Sequence, residues 1–96
     1  MSPNNKKKLN LIRTKLDKLD NKLLSLIKQR TGLVKEVLKL KEFKKEIVDQ
    51  KRINFILNKI KGKSKKLKID PKITNRIWKN MIWSYIDYER RNFKKK

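Results

Sequence analysis

Residues 12–41 read IRTKLDKLDNKLLSLIKQRTGLVKEVLKLK, and this stretch decides the fold class. Ile12, Leu16, Leu19, Leu23, Leu26, Leu33, Val37 and Leu40 recur in alternating steps of three and four, broken once at position 30. Leu24, Ile27, Val34 and Leu38 form a second stripe beside the first. The pattern predicts one helix from about Asn5 to Glu42, apolar over a broad arc. At 1.5 Å per residue it is roughly 50 Å long, against a radius of gyration near 13 Å for a compact domain of this size. Gly32 is the one weak point, and a single interior glycine costs only about 1 kcal/mol.

After a basic stretch from Glu42 to Glu46, Asp49 reads as an N-cap. Ile53, Ile56, Leu57 and Ile60 give the spacing of a short amphipathic second helix, which Gly62 is expected to end. GKSKKLK at 62–68 has no pattern and is expected to be a solvated loop. Asp70-Pro71 is a cap followed by proline at the first helical position. It opens a third helix marked by Ile73, Ile77, Trp78, Met81, Ile82, Tyr85 and Ile86 and reaching about Phe93. Residues 1–8 and 94–96 are expected to fray. The sequence shows no convincing strand and no internal repeat, so the expectation is a single all-α domain over 1–96. The two shorter helices cannot cover both apolar stripes of the first, which points to an obligate, extensively buried dimer packed through the long helices.

Composition removes most enzyme chemistries. The 96 residues contain no cysteine and no histidine, which excludes disulfides, thiolate nucleophiles, the commonest general base and the commonest metal ligand. The formal charge of +21 suggests nucleic acid or an anionic membrane. The excess is nearly all lysine, however, and lysine, asparagine and isoleucine share codons rich in A and T. Compositional bias is therefore favoured over a dedicated nucleic-acid surface. No apolar run approaches a membrane span, and no uninterrupted apolar segment follows the basic MSPNNKKK at 1–8, so the cytoplasm is the expected location.

The informative residues are those that break the pattern. Arg30 stands where the seam of Leu23, Leu26, Leu33 and Val37 asks for an aliphatic side chain, with no acid at 26, 27, 33 or 34. A cation there is costly unless paired. It is read as waiting for an anionic ligand, against the simpler account of a register-setter or a snorkelling side chain. Lys41 extends the second stripe, although a solvated lysine is the plainer reading in so basic a chain. Arg13 flanks the seam at the other end, and in an antiparallel dimer it would approach the Arg30–Lys41 region of the partner. Arg52 lies in the first turn of the second helix, where surface exposure explains it, and capping explains Asp49. Glu89 continues the face of Trp78, Met81, Ile82 and Tyr85. A carboxylate there is expected to be ion-paired or held protonated, unless it is simply exposed near a fraying end.

With these residues in place, the sequence resembles the all-helical chorismate mutases over about residues 9–93. The stretch at 12–41 is similar to the family's long first helix, carrying Arg13, Leu19-Asp20, Arg30 and Lys41 in its spacing. DQKR at 49–52 resembles the family's Asp-x-x-Arg, and IWKNMIWSYIDYE at 77–89 is similar to its third helix, less specifically. The resemblance implies an intertwined homodimer of three-helix chains that rearranges chorismate to prephenate, on the way to phenylalanine and tyrosine. Arg13 would come from the neighbouring subunit. Arg30 would hold a substrate carboxylate, Lys41 the ether oxygen and a carboxylate, and Asp49 and Arg52 would lie near the ring hydroxyl. Tyr85 falls where many members have serine. Glu89 falls where many have a glutamine that donates to the ether oxygen. No cofactor or metal is implied, because a unimolecular pericyclic step needs only a compact conformer and stabilised charge on the ether oxygen.

Two departures bear on this reading. Ile53 stands where the family commonly has a glutamate that binds the ring hydroxyl. Glu89 can donate to the ether oxygen only when protonated, so activity is expected to fall as the pH rises and Glu89 loses its proton. Ile53 and Tyr85-Ile86 look more like isochorismate-pyruvate lyase, a rival on the same fold. A basic helical protein binding nucleic acid through phosphates, with steeply salt-dependent affinity, is the rival from another class.

Overall fold

The computed structural model describes residues 1–95. They form three α-helices, with no strand among the described residues: α1 (Pro3–Leu40), α2 (Gln50–Lys66) and α3 (Pro71–Asn92), with a short 3₁₀ turn at Lys44–Glu46 between α1 and α2. The chain divides into two compact units, Met1–Leu33 and a second beginning at Val34.

The first unit is the greater part of α1. The helix starts earlier than the periodicity suggested, because Ser2 caps it: the Asn5 amide donates to Ser2 Oγ at 3.1 Å and Pro3 takes the first helical position. Part of the segment expected to fray is therefore helical. Gly32 lies inside the helix without interrupting it, and no residue of α1 is buried. Leu19 and Leu23, in the middle of the seam, are 54% and 55% exposed. The first stripe is thus exposed along its length, whereas in the second Leu24 and Ile27 are exposed and Val34 and Leu38 half-buried.

The second unit holds the core. Ile47, Ile53, Ile82 and Ile86 are buried together, with Val48, Ile56, Leu57 and Phe93 packed against them. They join α2 to α3 and bring in the segment that precedes α2. Capping directs both helix starts. Asp49 accepts from the Arg52 amide at 3.0 Å, and Asp70 accepts from the Lys72 amide at 2.9 Å, with Pro71 next.

The end of α2 corrects the sequence reading. Gly62 does not stop the helix, which continues to Lys66. Most of GKSKKLK is therefore helical rather than loop. The cause is a tertiary contact: Ser64 is buried and its hydroxyl lies 2.7 Å from that of buried Thr74 on α3. The helix closes instead at Lys68, whose φ is +58°. The Ile69 amide donates to the Ser64 carbonyl at 2.9 Å and the Lys68 amide to the Lys65 carbonyl at 3.2 Å. This is a Schellman closure with lysine in the position that normally favours glycine.

Candidate active site

The segment just after α1 and the C-terminal half of α3 bring two of the expected site residues into contact. Lys41 Nζ donates to Glu89 Oε1 at 3.0 Å, with side-chain exposures of 18% and 7%. Of the alternatives open to Glu89, the structure holds the buried ion pair, and Lys41 is not the solvated surface lysine that composition favoured. The burial follows from the α3 face: Ile82 and Ile86 occupy the core and Glu89 follows on the same side. Tyr85, one turn before Glu89, is half-buried.

Just after Lys41 the chain is fixed by a second carboxylate. Glu46 accepts from the Glu42 amide at 2.7 Å and the Phe43 amide at 2.9 Å. The Phe43 and Glu42 amides hold its carboxyl below the usual 4.5, and the charges of Lys45 and Lys41 add to them. The turn therefore anchors the backbone next to Lys41, a role the sequence reading did not give to Glu46. The i, i+3 and i, i+4 spacing to Phe43 and Glu42 was the available signal.

Asp49 and Arg52 come together at the start of α2, through the Asp49 carboxylate and the Arg52 amide. The Arg52 guanidinium lies 5.3 Å from the centre of the exposed Phe55 ring, which Lys59 Nζ approaches from 5.7 Å. Phe55 is a further addition, and its i+3 spacing from Arg52 is the sequence signal for it. Ile53 has a plain structural role: it is 7% exposed and forms part of the core with Ile86. Two of the residues that looked lyase-like are thus required by the α2–α3 packing. Arg13 and Arg30 both lie on the α1 segment of the first unit. Arg13 is exposed and Arg30 half-buried. Among the described residues, no cluster of acidic side chains is placed to hold a metal ion, and no helix is long and apolar enough to cross a membrane.

The family model for type II chorismate mutase matches residues 12–90, which include every residue named above as a site candidate. The chain belongs to the type II chorismate mutase family. It is 36% identical over 76 residues to a chorismate mutase of Methanocaldococcus jannaschii, covering 78% of this chain and 77% of that protein. No solved structure gives a significant match.

Proposed function

We infer that this protein is a chorismate mutase, an isomerase converting chorismate to prephenate, and that it acts as a homodimer. The observation that carries the reading is the buried Lys41–Glu89 pair, lying within a family match that spans residues 12–90. A lysine and a carboxylate facing each other in a largely dry place are expensive to bury. A substrate that inserts an ether oxygen beside them gives both a use. Lys41 donates to the oxygen as the C–O bond breaks. Glu89 holds the Lys41 ammonium in place, whereas a glutamine at that position would donate to the oxygen from the other side. Arg30 holds one substrate carboxylate and Arg13 of the neighbouring subunit reaches the same dianion. Asp49 and Arg52 frame the ring hydroxyl, and Tyr85 packs beside the ring. The exposed leucines of α1 support the dimer. A fully buried leucine contributes roughly 1.5–3 kcal/mol, and the seam holds several with no cover in their own chain.

The test is a paired assay of the purified protein with chorismate and with isochorismate, separating prephenate, pyruvate and salicylate. Prephenate is expected, and Arg30→Ala is expected to lower kcat/KM about 10²–10³-fold while the dimer persists. Faster release of pyruvate and salicylate from isochorismate moves the assignment to the lyase, and turnover of neither substrate by a folded dimer refutes both. Glu89→Gln sharpens the role of position 89: an amide there can donate to the ether oxygen, so kcat/KM is expected to rise, and an unchanged kcat/KM removes Glu89 from the site.

A further inference from the structure

The second unit contains a cavity of about 300 Å³ that is lined by neither Lys41 nor Glu89. Lys35, Leu38 and Lys39 of α1 form one wall. Tyr88 of α3, followed by Phe93, Lys94 and Lys95, forms the other. The apolar surface comes from Leu38, Tyr88 and Phe93 and from the lysine stems. Lys95 Nζ donates to the Lys39 carbonyl at 2.6 Å, which ties the chain after α3 to the end of α1 and closes one side.

The charge of this lining is one-sided, with Asn92 and Tyr88 its neutral polar side chains. Four lysines contribute to it and no carboxylate does. Of the acids on α3, Glu89 is paired with Lys41 and Asp87 with Arg91 at 2.9 Å. Like charges gathered around an apolar hollow repel one another, and an anion in the hollow relieves that repulsion. The volume is at the lower end of the range of roughly 300–1,000 Å³ for ligand pockets, which suits one ring and a short acidic arm. An amino acid fits less well, because its ammonium group would enter a field of four cations with no carboxylate to receive it.

We propose that this cavity is a second binding site, separate from the substrate site, for a small ring-bearing carboxylate that lacks an amino group. The ring packs between Leu38 and Tyr88–Phe93, and the carboxylate meets the lysines. The inference rests on the lining and its charge and not on the reaction assigned above.

The experiment is a ¹⁵N–¹H NMR titration of the full chain with 3-phenylpropionate and, separately, with phenylalanine. 3-Phenylpropionate is expected to shift the amides of Tyr88, Phe93 and Lys95 saturably, with phenylalanine at least about tenfold weaker. Lys35→Gln/Lys39→Gln is expected to weaken the 3-phenylpropionate response by about tenfold or more. That variant leaves the Lys39 carbonyl and its hydrogen bond in place. Arg30→Ala is expected to leave the response intact. Absence of saturable shifts overturns the proposal. So does a response abolished by Arg30→Ala and kept in the double-lysine variant, which would place the probe in the substrate site. Equal binding of phenylalanine overturns the charge argument. Because the readout is binding, these results stand whether or not the protein turns over chorismate.

Discussion

The two units of the chain solve the burial problem in different ways. From Val34 onward the protein builds a core of its own, with Ile47, Ile53, Ile82 and Ile86 buried and both helix starts capped. From Met1 to Leu33 it buries nothing, although this stretch is as rich in leucine as any in the molecule. An isolated helix has little stability in water, even at this length, without a packed face. The α2–α3 pairing is intramolecular, while the leucines of α1 stay exposed and are the surface that the proposed homodimer would use.

The comparison breaks most completely in the seam. Leu23→Asp removes an aliphatic contact from each chain, about 1.5–3 kcal/mol apiece, and adds a charge that has to be desolvated on association. The expected outcome is a dissociation constant raised by at least about two orders of magnitude, read by analytical ultracentrifugation, with helix content falling on dilution. A native protein that sediments as a monomer with α1 fully helical would remove the dimer from the proposed function.

Ile82→Ala probes the other side. It truncates a side chain in the α2–α3 core and is expected to cost about 2–4 kcal/mol, seen as a lower urea midpoint. At micromolar concentration the folded protein keeps its association state, because the seam is untouched. If Ile82→Ala dissociates the protein as effectively as Leu23→Asp does, the core and the seam are not separable.

The legible and illegible parts of the molecule divide along a similar line. The starts of α2 and α3 could be read from Asp49 and Asp70-Pro71 because a cap is a local device, complete within three residues. The apolar arc of α1 was equally legible, since periodicity is local too. The Lys41–Glu89 pair was half legible. The α3 face indicated that Glu89 needs a partner, but Lys41 lies 48 positions away and no pattern within one helix selects it. The end of α2 was misread for the same reason, because Ser64 is drawn into the helix by Thr74, ten positions later. A glycine is only a local hint, and a buried hydroxyl pair outweighed it.

That misreading supplies the smallest and most specific test of the hairpin. Gly62 lies within α2, where the conformational freedom of glycine is a liability, and a Cβ added there meets nothing within 4 Å. Lys68 has φ +58°, a left-handed conformation that costs an L-residue about 1–2 kcal/mol. The glycine and the position that wants one are thus six residues apart. Gly62→Ala is expected to stabilise the protein by about 1 kcal/mol through helix propensity. Lys68→Gly is expected to give a similar gain, reduced by the greater freedom of glycine in the unfolded chain. The sites touch different features, one the helix interior and the other the closure at Ile69 and Ser64, so the double variant should show nearly the sum. Thermal or urea unfolding monitored by circular dichroism measures all three. If Gly62→Ala destabilises, α2 ends where the glycine first suggested. If Lys68→Gly destabilises, the left-handed closure is not the native end of the helix.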